Sequence, residues 1–211
     1  VKKKIAHSLI HGTIKPPASK SYMQRAIAIA ALAKGESLIS NPSYSADGLA
    51  SMSIARQMGA FVEDLGQSIK VKGQGTLKSN EWDCGESGLS IRMFSGLAGL
   101  QQEPITLSGH GSMPNRSMQT VVDTLKGTGL TVELNGDRIP IQVSNGPLKA
   151  GSYTVEAGES SQPLTGLLIA LASLDTDSVL NVQNLASKPY IDITLDILKD
   201  FGVSPYLEIK N

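Results

Sequence analysis

Apolar residues recur at helical spacing in three stretches, Ser21 to Lys34, Ser87 to Leu100 and Ser160 to Ser173, and each predicts a helix with a buried face. A short strand-like run follows each one: Ser37-Leu38-Ile39-Ser40, Pro104-Ile105-Thr106-Leu107 and Val179-Leu180-Asn181-Val182. A second helical pattern then runs through residues 49–55, 120–125 and 193–198. Each of these ends at a glycine, in Met58-Gly59-Ala60-Phe61-Val62-Glu63, Thr128-Gly129-Leu130-Thr131-Val132-Glu133 and Phe201-Gly202-Val203-Ser204-Pro205-Tyr206. The glycines lie 70 and then 73 residues apart, each where a helix would stop on a left-handed residue before a strand begins.

Alternation after the glycine predicts a hairpin. In the second stretch its arms are Thr131 to Leu134 and Ile139 to Val143 around Asn135-Gly136-Asp137, and in the first they are Phe61 to Glu63 and Ile69 to Val71 around Gly66. In the third stretch only the arm Tyr206 to Lys210 is expected. The fold class expected is α/β, with three helix-strand-helix-hairpin units of βαβαββ type at about 14–80, 81–150 and 151–211 in one domain. Strands joined through helices imply parallel pairs and hairpins add antiparallel ones, so the sheets should be mixed.

Composition narrows the function classes. Hydrophobic residues make up 40% and charged residues 18% of the 211, enough for a packed core and against disorder. Nineteen basic and nineteen acidic side chains cancel, which removes the general attraction that nucleic-acid binders use, and 4% aromatics leaves no base-stacking surface. Cys84 is the single cysteine, so intrachain disulfides and cysteine-based zinc sites are excluded. No apolar run reaches membrane-spanning length and Val1-Lys2-Lys3-Lys4 opens no signal peptide, so a cytoplasmic monomer without metal or cofactor is expected.

The cations sit where a helix disfavours them. A helix start carries partial positive charge and free N–H groups, yet Lys20 and Arg25 flank the first turn of the first helix, Arg92 lies one turn into the second stretch, and Arg116 is expected to open another helix. An anion held between those helix starts resolves the conflict, with Ser19, Ser21, Ser87, Ser160 and Ser161 adding hydroxyls. The alternative is ordinary serine caps and solvated surface charge.

The same residues carry a family resemblance. Ser19-Lys20-Ser21-Tyr22-Met23-Gln24-Arg25, Gly85-Glu86-Ser87-Gly88-Leu89-Ser90-Ile91-Arg92, Asn115-Arg116, Ser160-Ser161-Gln162 and Ser187-Lys188-Pro189-Tyr190-Ile191-Asp192 resemble, in order, the first half of the 5-enolpyruvylshikimate-3-phosphate synthases. These are 3-phosphoshikimate 1-carboxyvinyltransferases of the shikimate pathway to aromatic amino acids. The resemblance implies a two-domain fold of which this chain is one domain. It also implies transfer of the enolpyruvyl group of phosphoenolpyruvate to the 5-hydroxyl of shikimate 3-phosphate, with release of phosphate. Lys20, Gly88, Arg116 and Gln162 would meet phosphoenolpyruvate. Lys20, Ser21, Arg25, Ser160, Ser161, Gln162, Ser187 and Tyr190 would hold shikimate 3-phosphate.

The pattern departs from the family at Glu86, where Asn is usual, at Leu89, where Thr is common, and at Met93, where Pro is common. All three bear on glyphosate, which competes for the phosphoenolpyruvate subsite. The general acid and base are expected in the missing C-terminal domain, so the chain alone should not turn over. Asp47, Glu86, Glu159 and Asp192 read as caps or structural partners, His7, His11 and His110 as surface or loop residues, and Cys84 as a packing residue. Two other readings stay open: an enolpyruvyl transferase acting on a UDP-sugar, and a non-catalytic anion-binding module.

Overall fold

In the computed structural model, which describes residues 2–73 and 75–205, the first ordered element is α1 (Lys20–Leu32). Ser19 caps it by accepting a hydrogen bond from the Tyr22 amide, and its Ala- and Ile-rich sequence packs on nearly every side. There follow β1 (Glu36–Ser40), α2 (Ala46–Gln57) and the hairpin of β2 (Phe61–Asp64) and β3 (Ser68–Lys72). Next come β4 (Glu81–Asp83), α3 (Gly88–Ala98), β5 (Ile105–Ser108), a 3-10 turn over Met113–Asn115 and α4 (Gln119–Leu125). The hairpin of β6 (Thr131–Asn135) and β7 (Arg138–Ser144) closes that stretch. Last are β8 (Ser152–Glu156), α5 (Gln162–Ala172), β9 (Val179–Gln183) and α6 (Lys188–Asp200); the expected arm Tyr206 to Lys210 lies outside the described residues.

Both hairpins form where alternation placed them. The recurring glycines all take left-handed backbone, with φ of +104° at Gly59, +84° at Gly129 and +83° at Gly202, a region that costs a side chain but not glycine.

The pairing corrects one expectation. β1 is joined to the first hairpin through α2, yet it pairs antiparallel with β3, giving an all-antiparallel sheet of order β1-β3-β2. The parallel pairs are β4 with β5 and β8 with β9, and β4 and β8 are strands the hydrophobic pattern did not reveal. The second sheet, β4-β5-β7-β6, is therefore mixed. Parallel neighbours arise where a strand precedes the first helix of a stretch and that helix returns the chain in the same direction.

The core sits among helices. α1, α3 and α5 are buried nearly all round, whereas α6 buries one stripe, Ile191, Thr194, Leu195, Ile197 and Leu198. The strands alternate buried and exposed positions, so each sheet turns one face to the helices and the other to water. Aliphatic side chains dominate, each contributing about 1.5–3 kcal/mol when fully buried. One aromatic pair joins them: Trp82 of β4 meets Phe94 of α3 edge to face at 6.4 Å, and the indole N–H donates to the Ser79 carbonyl. No helix among the described residues is long and apolar enough to cross a membrane.

Candidate functional site

Side chains tie α1, α2 and α3 together. From α1, the buried Gln24 donates to Ser87 Oγ at 2.7 Å and to Ser90 Oγ at 2.8 Å, and Ser51 of α2 joins Ser90 at 3.0 Å. Ser87 in turn caps α3 by accepting from the Ser90 amide at 3.1 Å. In this polar knot Ser87 is buried, and its oxygen accepts two hydrogen bonds.

The guanidinium of Arg92 reaches across from α3. It donates to Gly88 O and Gln162 Oε1, both at 3.3 Å, and to Ser117 O at 3.1 Å. Arg116 stands beside it: a Cβ on Gly88 would lie 3.0 Å from Arg116 Nη1 and 3.1 Å from Arg92 Nη1. Burial, and then the charge of Arg116, hold the Arg92 pKa below the usual arginine value. Because Arg92 engages the carbonyl end of the Gln162 amide, the amino end of that side chain is left as a donor. Arg116 does not open a helix as expected. It ends the 3-10 turn in extended backbone with φ −100° and ψ 135°, held by a bond from its Nη2 to Ser112 Oγ at 3.1 Å, and α4 starts only at Gln119.

Arg92, Arg116, Ser117, Thr120, Glu159, Ser160 and Gln162 line an open recess of about 500 Å³. A larger groove, about 610 Å³, runs over α1, β1 and α6, but no lysine or arginine lines it and Asp200 does, so the smaller recess is the one with fixed cations for an anion.

Arg25 is the second cationic centre. Its side chain is 1% exposed, and it donates through Nε to Thr194 Oγ1 at 2.9 Å, through Nη1 to Ser21 O at 3.0 Å and through Nη2 to Thr165 Oγ1 at 3.4 Å. Burial pushes its pKa down to about 10, with the nearby phenols of Tyr190 and Tyr22 opposing that fall, so it stays charged at neutral pH. Among the described residues no carboxylate oxygen lies within 4 Å of Arg25, Arg92 or Arg116. A buried cation without a counter-ion is costly, and an arriving anion offsets that cost.

The remaining predicted residues frame these two centres. Lys20 is exposed and pairs with Asp47 at 2.7 Å. Ser160 Oγ accepts from the Gln162 amide at 3.2 Å, while Ser161 is buried at the start of α5 with no capping bond from its hydroxyl. Ser187 precedes α6 in left-handed backbone, φ 54° and ψ 42°, an unfavourable conformation for a non-glycine residue that marks the turn presenting the half-exposed Tyr190.

The acids expected to be structural have partners: Asp47 holds Lys20, Glu86 accepts from the Ser112 amide at 3.4 Å and Asp192 holds Lys188 at 2.7 Å. Glu159 instead lines the recess. Cys84 is fully buried and His110 is exposed. Gln24, Thr165 and Thr194 were not singled out from the sequence, because their importance arises only when helices distant in the chain are packed.

The family model described as EPSP synthase (3-phosphoshikimate 1-carboxyvinyltransferase) matches residues 5–205. The chain is 36% identical over 197 residues to the 3-phosphoshikimate 1-carboxyvinyltransferase of Clostridium kluyveri, covering 92% of this chain and 46% of that protein. It is 36% identical over 209 residues to the enzyme of the same name from Nitrosopumilus maritimus, covering 97% and 49%. The solved EPSP synthase of Acinetobacter baumannii superposes with a TM-score of 0.69 at 23% identity, over 80% of this chain and 40% of that one, a likeness of fold. The chain thus spans about half the length of the curated relatives it matches. On the match of the family model and of these relatives along nearly all of its length, the chain belongs to the EPSP synthase family.

Proposed function

We propose that this chain is the shikimate 3-phosphate-binding half of a 3-phosphoshikimate 1-carboxyvinyltransferase, one domain of a two-domain enzyme, built from three units at about 14–80, 81–150 and 151–211. The observation that carries this reading is the set of three arginines without carboxylate partners among the described residues: Arg25 and Arg92, each in the second turn of its helix, and Arg116, which stands beside Arg92 at the end of the 3-10 turn. The three left-handed glycines, each following a helix, support the three units.

In the reaction proposed, the 5-hydroxyl oxygen of shikimate 3-phosphate gives up its proton and bonds to C2 of phosphoenolpyruvate, while C3 takes up a proton and the C2–C3 double bond becomes single. The addition product then loses phosphate and a proton, which restores the enol double bond. Both reactants are multiply charged anions, so fixed cations and N–H donors must first offset their repulsion and align them. Arg116, Lys20, the backbone at Gly88 and the free amino end of Gln162 serve phosphoenolpyruvate, Arg116 and Gln162 from the lining of the recess. Arg25, Lys20, Ser21, Ser160, Ser161, Gln162, Ser187 and Tyr190 serve shikimate 3-phosphate. Arg92, held by three carbonyl oxygens, orients Gln162 and adds positive potential. The second domain supplies the general acid and base.

Calorimetric titration of the chain with shikimate 3-phosphate tests this, beside Arg25→Ala and Ser161→Ala. Binding by the parent and weakening in both variants is expected; no heat with the parent, or unchanged binding in both variants, overturns the site. Phosphate release from the two substrates together should stay at background, and turnover would place the base in this half.

A further inference from the structure

We infer that Thr165 and Thr194 are positioning residues, a hydroxyl clamp that sets the Arg25 guanidinium for its anion while leaving its charge unneutralised. Thr165 lies in α5 and Thr194 in α6, 140 and 169 residues from Arg25, and both are fully buried. Each hydroxyl proton has an acceptor one turn back: Thr165 Oγ1 donates to Ser161 O at 3.2 Å, and Thr194 Oγ1 donates to Tyr190 O at 3.0 Å. With the protons so directed, the oxygen lone pairs face the guanidinium, at 2.9 Å from Nε for Thr194 and 3.4 Å from Nη2 for Thr165. The two oxygens are 3.2 Å apart and act as one acceptor edge.

Two consequences follow from the chemistry of that edge. A carboxylate in the same place would make a stronger bond but would cancel the positive charge, and a bound anion would then gain little. Hydroxyls fix the plane of the guanidinium and leave the cation whole. The clamp also couples three helix starts, because Arg25 holds Ser21 O of α1 while the threonines hold the carbonyls of Ser161 and Tyr190. Ser21, Ser161 and Tyr190 are all assigned to shikimate 3-phosphate above, so the clamp sets their mutual distances through one buried node.

The inference rests on the shikimate 3-phosphate reading, and the test separates the two. The chain, Thr194→Val, Thr165→Val and Thr194→Ser are titrated calorimetrically with shikimate 3-phosphate, and folding of each is checked by circular dichroism and thermal unfolding. Thr194→Val keeps the shape but removes the acceptor, and it should weaken binding about tenfold, the size of one lost hydrogen bond to a charged group. Thr194→Ser keeps the hydroxyl and should bind within about threefold of the parent, a rescue that a packing role for the methyl group would not produce. Parent-like binding by both valine variants overturns the clamp and leaves the ligand reading standing. No binding by the parent overturns the ligand reading and the clamp with it. Should Thr194→Val not fold, Thr165→Val against Thr194→Ser decides the matter by the same comparison.

Discussion

Gly96 of α3 and Gly166 of α5 lie against each other's helices so closely that a Cβ on Gly96 would stand 2.5 Å from the backbone carbon of Gly166. A Cβ on Gly166 would meet the backbone of Met93 in the same way. In an exposed helix, replacing glycine by alanine stabilises by about 1 kcal/mol. Here the sign reverses, because backbone cannot move aside as a flexible side chain can. Gly96→Ala and Gly166→Ala should each cost about 2 kcal/mol or more, net of the helix gain, or prevent folding. Urea unfolding measures this, and a stabilised variant would show that α3 and α5 pack less closely than described.

If Arg25 binds the anion as proposed, it trades stability for binding. The buried guanidinium loses its proton near pH 10, well below the ordinary arginine value it keeps when unfolded, so between the two the unfolded state binds more protons and stability rises with pH. Below pH 10 both states are charged and the folded state bears the full cost of burying the cation. Arg25→Met should therefore raise stability at pH 7 by about 1–3 kcal/mol, less than the whole desolvation cost because Thr165 and Thr194 lose a donor. The same variant should lose shikimate 3-phosphate binding. Chemical denaturation at pH 7 decides it; a destabilised variant would mean that the three hydrogen bonds outweigh the buried charge.

These two sites differ in how far the sequence announces them. Arg25 stands in a local pattern, Ser-Lys-Ser followed by Arg, and a cation near a helix start is conspicuous by itself. Thr165 and Thr194 are mid-helix threonines whose role exists only once α1, α5 and α6 meet. Gly59, Gly129 and Gly202 were readable because each punctuates a local helix-to-strand change. Gly96 and Gly166 were not, since close helix contact has no local signature. Strand β4 is three residues long, Glu81-Trp82-Asp83, too short for alternation to register. Arg116 differs from the expectation of a helix start because the chain there makes only a 3-10 turn over Met113–Asn115, and α4 begins three residues later, at Gln119.

Cys84 should show itself in alkali. Burial, aided by the charge of Asp83, raises the thiol pKa far above its ordinary value of 9.0. Above pH 9 the unfolded thiol ionises while the native one keeps its proton, so the native state binds more protons and stability falls as pH rises. Arg25 acts in the opposite direction only from about pH 10. Between pH 9 and pH 10 the thiol should remove about 1 kcal/mol of stability, and Cys84→Ala should abolish that part of the slope. The native thiol should also resist a disulfide reagent at pH 8 and react on unfolding; rapid reaction in the native state would overturn its burial.

At the first hairpin, Tyr44 Oη lies 2.6 Å from Asp64 Oδ1 and donates to it, and the Gly66 amide donates to the same oxygen at 2.8 Å. Both bonds favour the ionised carboxylate, the phenol first, and hold the Asp64 pKa below its ordinary 3.8. The stabilisation is present above that ordinary value and is lost as pH falls through the lowered one. Tyr44→Phe removes the larger cause and leaves the amide in place, so the Asp64 pKa should rise toward 3.8 without passing it. Carboxyl titration followed by NMR in parent and variant reads this directly. An unchanged Asp64 titration would assign the effect to the Gly66 amide and the charge of Arg56, and leave Tyr44 with only its second acceptor, Gly66 O at 2.8 Å.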